Sequence, residues 1–202
     1  MINLLHVDCM DFMRTQPDKV FDLAIVDPPY GLPKDSVNGR GKLRTRALNT
    51  MDMAWDIPPP KAYFEELFRV SRNQIILGSN YFPLPPTRCV FIWDKLQPWK
   101  NFSAFELAWT SFDKPARIFR KRNCAKGKIH PTQKPVELYA WILEQFATPG
   151  MRILDTHLGS GSSAIAAHDA GFDFTGCEIN IHYFNAMMER FNEHEKQGKL
   201  AL

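Results

Sequence analysis

The chain has 202 residues, 45% of them hydrophobic and 23% charged, which suits one globular domain with a sizeable core and excludes a disordered or fibrous chain. Its net charge of +3 permits an anionic partner without demanding one, so where the charges lie matters more than their sum. Cys9, Cys89, Cys124 and Cys177 have no C-x-x-C spacing, the N-terminus has no basic signal-like region, and no apolar run approaches a membrane span; the expectations are reduced thiols, no metal, no membrane and a cytoplasmic protein.

In chain order, Ile2 to Val7 reads as a short strand ending at Asp8, and Cys9 to Thr15 as a short helix. Val20 to Val26 is an apolar run broken only by Asp22, with the length and β-branched content of a buried parallel strand. Strand, helix and strand together imply parallel pairing through a right-handed crossover. The run ends at Asp27, and two prolines follow. Each proline fixes its own φ and pushes the residue before it out of the helical region, so Asp27-Pro28-Pro29-Tyr30 is nearly rigid. A carboxylate, a carbonyl and an aromatic ring are thus presented at a strand's carboxyl end, where open α/β sheets bind ligands. The same four residues would equally serve as a plain turn.

Gly31 to Asp56 has no sustained periodicity and carries Lys34, Arg40, Lys42, Arg44 and Arg46 against Asp35, Asp52 and Asp56. An insert of this length inside a compact domain is expected to be functional or mobile. Lys61 to Ser71 has helical spacing of apolar residues, and Gln74 to Leu77 reads as another buried strand. Cys89 to Trp93 and Phe105 to Trp109, separated by a polar, aromatic connection from Asp94 to Phe102, read as two further strands and Ala116 to Phe119 as a third; helices between them are short or absent, so this part of the sheet is expected to be antiparallel. From Lys114 to Lys134 the charged residues are all basic, Arg120, Lys121 and Arg122 among them, as either a solvated face or a phosphate-binding segment. Pro135 opens a helix to Ala147, stopped by Pro149-Gly150; Met151 to Leu154 is a strand, Ser162 to Ala170 a helix, Phe172 to Cys177 a strand ending at Glu178, and Ile181 to Glu195 a closing helix.

The second informative stretch is Asp155-Thr156-His157-Leu158-Gly159-Ser160-Gly161-Ser162, a glycine-rich loop between strand and helix. Gly159, Gly161 and Ala164 satisfy a dinucleotide fingerprint, and Glu178 follows where a ribose-binding acid belongs. A nicotinamide enzyme is therefore one reading. Against it, four residues separate the strand from the first glycine, and the first of them, Asp155, would repel a phosphate while suiting a ligand ammonium. Such a unit normally opens its domain, yet here it comes last and leaves the sheet no room to continue. The N-terminal half must supply the continuation, with the Asp8 strand beside the Glu178 strand and the Asp27 strand on the far side of the Asp155 strand. Four acids, Asp8, Asp27, Asp155 and Glu178, would then share one sheet edge.

With these motifs in this order, and with His130-Pro131-Thr132-Gln133-Lys134-Pro135 before a helix, the sequence resembles the β group of S-adenosylmethionine-dependent amino-methyltransferases that modify DNA, in particular small phage and prophage members. The resemblance covers nearly the whole chain. It implies an α/β, Rossmann-like methyltransferase fold: a mostly parallel twisted sheet with helices on both faces and the motif order circularly permuted. Residues 1–202 would form one domain, with a catalytic half at 1–112 including a mobile basic loop at 31–56, a basic segment at 113–129 and a cofactor-binding half at 130–202. At Thr156-His157 the chain departs from the family's usual Pro-Phe, and His157 would serve as a flat ring against the cofactor or hold a purely structural hydrogen bond.

The resemblance further implies that Asp27 and the Pro28 carbonyl, backed by Pro29, accept hydrogen bonds from a target amine, and that Tyr30 stacks on the flipped base. It implies Asp155 and Asp27 near the methionine ammonium of the cofactor, Glu178 on the ribose hydroxyls, Asp8 and the Cys9 backbone on the adenine, Thr132 and Lys134 on the carboxylate, and His157, Gly159, Ser160, Gly161 and Ser162 around it. Double-stranded DNA is the implied partner, in the nucleoid of a bacterial or phage-infected cell, with a homodimer as one form. Lys42, Arg44 and Arg46 in one segment and Arg120, Lys121 and Arg122 in the other are the candidate DNA contacts. Asp27 rather than Ser leans towards adenine N6. Cytosine N4, an RNA or protein substrate, and a non-catalytic DNA-binding or partner subunit remain as alternatives.

Overall fold

A computed structural model describes residues 1–32, 56–97, 103–123 and 127–200, with side chains to 198. The elements are β1 (Ile2–His6), α1 (Cys9–Thr15), β2 (Phe21–Val26), α2 (Lys61–Val70), β3 (Ser71–Leu77), a short 3-10 turn (Ser79–Tyr81), β4 (Val90–Asp94), β5 (Phe105–Thr110), β6 (Arg117–Arg120), α3 (Val136–Phe146), β7 (Arg152–Asp155), α4 (Ser162–Asp169), β8 (Asp173–Glu178) and α5 (Ile181–Leu200). The expected insert lies almost wholly outside the described residues, and with it Lys34, Arg40, Lys42, Arg44 and Arg46; so do Cys124 and Lys126 of the basic segment.

Alternation along the central strands decides which layer each side chain joins. Leu23 and Ile25 of β2, Ile75 and Leu77 of β3 and Ile153 of β7 face a core shared with Leu138, Ile142 and Leu143 of α3, Ala164 and Ala167 of α4, and Met187 and Phe191 of α5. Ala24, Val26, Ile76 and Leu154 face the opposite layer, where Met13 of α1 and Tyr63, Phe64, Leu67 and Val70 of α2 pack. Helices therefore cover both faces, the arrangement that lets the strands be apolar on both sides.

The strands form one sheet in the order β1-β8-β7-β2-β3-β5-β4-β6. As the acid pattern requires, β1 pairs with β8 and β2 with β7, all parallel. Beyond β3 the pairing differs from a simple antiparallel run. β5 is antiparallel to both β3 and β4, but β6 is parallel to β4. The reversal has a positional consequence: β1, β8, β7, β2, β3, β4 and β6 all end at one edge of the sheet, and β5 begins there. Asp94, Lys95 and Arg120 thus share an edge with Asp8, Asp27, Asp155 and Glu178, and so does Glu106 at the start of a strand.

Candidate active site

Asp27 follows β2 directly, and the chain then turns away from the sheet. The turn is held from a distance in sequence: the Asp56 carboxylate accepts the backbone N–H groups of Tyr30 at 2.8 Å, Gly31 at 3.0 Å and Leu32 at 2.8 Å. Tyr30 turns back so that its hydroxyl donates to Asp27 Oδ1 at 2.6 Å, while Tyr81 stacks on its ring with centroids 4.8 Å apart and planes 15° from parallel. Gly78, at the end of β3, has a φ of 66°, and a Cβ there would overlap the Tyr30 ring. Only glycine meets both conditions.

The second oxygen of Asp27 accepts from the Lys134 ammonium. That ammonium also lies 3.3 Å from Glu106 Oε2 and donates to the Tyr30 hydroxyl at 3.2 Å. An ammonium has three donors, so Lys134 has none left for the cofactor carboxylate that the resemblance gave it. Lys95 holds the other Glu106 oxygen at 2.6 Å. Burial pushes the Asp27 carboxyl above its ordinary value, and Lys134 offsets this only in part. Burial also pulls on the Lys134 ammonium, but the Asp27 and Glu106 carboxylates more than compensate and hold it above its ordinary value. Glu106, desolvated yet flanked by Lys134 and Lys95, is lowered.

The glycine loop faces this cluster across a cleft. Gly161, with φ 73°, starts α4 where a Cβ would come 2.5 Å from Met187. The Ser162 hydroxyl donates to the Lys134 carbonyl at 2.8 Å, which ties the loop to the segment before α3. Glu178 accepts the N–H of Gly159 at 2.9 Å and of Asn180 at 2.8 Å; burial raises its carboxyl above the ordinary value. His157 lines the cleft, and its Nδ1 lies 2.9 Å from the Thr156 hydroxyl. Burial lowers His157 to about 4, so the ring is neutral at neutral pH.

The cleft encloses about 970 Å³ including its open mouth, the size range of cofactor sites. Asp27, Pro28, Pro29 and Tyr30 line it together with Thr132, Lys134, His157, Gly159, Ser160, Ser162 and Glu178. Asp8, Cys9, Asp155 and Gly161 are not part of its wall. Asp8 caps α1 by accepting the Met10 N–H at 2.7 Å, and burial pushes the Cys9 thiol up to about 12. Asp155 is spent inside the protein, on the His157 N–H at 2.9 Å and the Ser163 hydroxyl at 2.5 Å, and burial raises its carboxyl to about 7.

Sequence reasoning missed several contributors. Glu106 escaped because the expectation of acids at strand ends overlooks the start of an antiparallel strand. Asp56 escaped because nothing local links it to Tyr30. His130 packs edge-on against Tyr183 at 4.3 Å, and burial, with the Lys134 charge, lowers it to about 4. Its position in the His-Pro-Thr-Gln-Lys-Pro segment was the available signal.

Arg120 ends β6 with its Nε 3.5 Å from Asp94, Lys121 reaches Glu137 at 3.0 Å, and Arg122 is exposed. Among the described residues, no helix is long and apolar enough to cross a membrane. A group with metal-ligand side chains, His168, Asp169 and His194, lies at the end of α4 remote from the glycine loop.

Comparison with known proteins places the site in context. The pattern of a family described as DNA methylase (N6_N4_Mtase) matches residues 88–189. YubD of Escherichia coli (strain K12) is 27% identical over 225 residues, covering 94% of this chain and 90% of that protein. Two solved structures share the fold. The M1.HpyAVI complex with S-adenosylmethionine has a TM-score of 0.61 at 18% identity, covering 95% of this chain and 100% of that one. The cytosine-N4-specific PvuII DNA methyltransferase has a TM-score of 0.62 at 11% identity, covering 97% and 92%.

Proposed function

The chain belongs to the N6/N4 family of DNA methylases, whose pattern matches just over half of it, and on that premise we propose that it transfers a methyl group from S-adenosylmethionine to the N6 amine of an adenine flipped out of duplex DNA. The observation that carries this reading is that Asp27, Pro28, Pro29 and Tyr30 line one cleft together with Gly159, Ser160 and Ser162 of the glycine loop.

The cleft suits this donor. Glu178 is held by two backbone N–H groups at the cleft wall and keeps lone pairs for ribose hydroxyls, with Leu158, Ile179 and the Tyr183 ring beside it for a flat base. His157 adds a neutral ring. Bound there, S-adenosylmethionine supplies an electrophilic methyl group on a sulfonium centre. Everything else is the work of the chain. The lone pair of an exocyclic amine is delocalised into its ring, so the amine is a poor nucleophile. Asp27, through lone pairs left by Tyr30 and Lys134, and the Pro28 carbonyl accept hydrogen bonds from the two amino hydrogens and draw the lone pair out of conjugation, aimed across the cleft. The prolines keep the two acceptors fixed. No histidine base is needed, which agrees with the depressed His130 and His157. A flipped base gains the Tyr30 ring by displacing Tyr81, which is 44% exposed.

Arg120 and Arg122 emerge at the same sheet edge as Asp27 and are suited to phosphates of the duplex. Incubating the protein with unmodified genomic DNA and S-adenosylmethionine, then mapping modified bases at single-molecule resolution, tests the reading. N6-methyladenine in one sequence context is expected; N4-methylcytosine would replace adenine as the target, and unmodified DNA would remove the proposal.

A further inference from the structure

Asp27 heads a chain of alternating charges, Asp27, Lys134, Glu106 and Lys95, in which the methyl-transfer reading leaves Glu106 and Lys95 without a role. Lys134 is its most buried member, with a side chain 2% exposed, against 14% for Asp27, 18% for Glu106 and 19% for Lys95. The two cations and two anions sum to zero, and every charge touches one of opposite sign. Lys134 bridges the two carboxylates, Lys95 holds the outer one at 2.6 Å, and the Tyr30 hydroxyl lies 3.5 Å from Glu106 Oε2 while donating to Asp27.

Such a group of charges is a weak source of stability. Removing four ions from water is costly, and apolar packing of the same volume often does as well. Its distinctive property is geometric. Each ion is fixed by partners on other elements, so the position of the innermost one is determined by all the rest. Four separate elements converge here: the turn after β2, the segment before α3, the start of β5 and the chain leaving β4. Glu106 can take part because β5 runs against its neighbours and therefore begins at the catalytic edge.

We propose that Glu106 is a positioning residue for methyl transfer, acting through Lys134 to hold the Asp27 carboxylate where it meets the target amine, with Lys95 holding Glu106 in turn. The inference rests on the reading of Asp27 as the group that binds the amine. Glu106 itself touches neither base nor cofactor. Without its negative charge, Lys134 has a single carboxylate partner, draws closer to Asp27 and competes with the amine for its lone pairs. Without Lys134, Asp27 loses the cation that favours its ionised form in a buried site.

The two perturbations therefore have opposite electrostatic signs at Asp27, which separates positioning from general damage. The titratable groups facing Asp27 are Tyr30 of its own turn, Lys134, Glu106 of β5 and Tyr139 of α3, with Asp155 of β7 a more distant influence. Only Glu106 and Lys134 are changed in the test. The measurement is the single-turnover rate of methyl transfer to DNA against pH for the wild type, Glu106→Gln and Lys134→Gln, with S-adenosylhomocysteine affinity and melting temperature measured alongside. Both variants should lose about 10- to 100-fold in rate while Glu106→Gln keeps wild-type affinity for S-adenosylhomocysteine. The acid limb of the rate profile should move to lower pH in Glu106→Gln, which removes a like charge from Asp27, and to higher pH in Lys134→Gln.

Wild-type rate in Glu106→Gln, or acid limbs shifted in the same direction in both variants, would overturn the inference while leaving the methyl-transfer reading intact. An inactive wild type would overturn both. If Glu106→Gln does not fold, Lys95→Gln at the rim loosens Glu106 from outside; it should slow transfer at unchanged S-adenosylhomocysteine affinity, and an unaltered rate would again count against the proposal.

Discussion

Asp56→Ala is the perturbation that most directly probes how the turn after β2 is held. One carboxylate accepts three consecutive backbone N–H groups, of Tyr30, Gly31 and Leu32, at 2.8 to 3.0 Å. Hydrogen bonds to a charged acceptor contribute roughly 1.5–3 kcal/mol each when fully protected, but these donors are partly exposed and water replaces much of the loss, so about 2–3 kcal/mol in total is the expected cost. For a chain of this length that corresponds to roughly 5–10 °C in melting temperature. Asn at this position keeps one acceptor oxygen without the charge and should fall between Ala and the wild type. Because the Tyr30 N–H is one of the three donors, methyl transfer should fall together with stability. Thermal melts and single-turnover rates of the three proteins supply the comparison. If Asp56→Ala melts within about 1 °C of the wild type and transfers methyl at the same rate, the turn is held by its prolines alone and the reasoning fails.

Gly78→Ala should disable transfer with less effect on S-adenosylhomocysteine binding, since its Cβ would overlap the Tyr30 ring while the glycine loop is untouched; a fully active variant would mean that Tyr30 can be displaced without consequence. His157 is lowered by burial to about 4, below its unfolded value, so the stability it contributes is present above about pH 6.5 and is lost as pH falls towards 4. Denaturant melts of His157→Phe should therefore lose less stability than the wild type between pH 7 and pH 4, by on the order of 3 kcal/mol; parallel curves would show that His157 is solvated. Replacing Arg120 and Arg122 with Ala should weaken DNA binding and flatten its dependence on salt, measured by fluorescence anisotropy at several salt concentrations, and an unchanged slope would mean that these residues meet no phosphate.

The parts of the fold that were legible in the sequence are those carried by periodicity and by where acids fall. Val20 to Val26 announces β2 because both faces of that strand are buried, leaving Leu23 and Ile25 for one layer and Ala24 and Val26 for the other. Asp8 and Glu178 predict the β1–β8 pairing because a cofactor unit placed last needs the N-terminal strand to extend its sheet, and that pairing is present. The order of β4, β5 and β6 was less legible, since short apolar strands with no helix between them fit several arrangements. From that gap follows the missed role of Glu106, whose position depends on β5 lying between β3 and β4. Lys134 shows a different limit. The motif marks it as important, but whether its ammonium faces a ligand or Asp27 depends on a carboxylate 28 residues away in sequence.

The central claim is that Asp27 at the end of β2 activates an amine and does not serve mainly to bind the methyl donor. The direct test is to compare Asp27→Ala with the wild type for transfer of labelled methyl from S-adenosylmethionine to DNA, and for binding of S-adenosylhomocysteine and of DNA. The account predicts that transfer collapses while both binding reactions persist, weakened at most. Retained transfer in Asp27→Ala would contradict it.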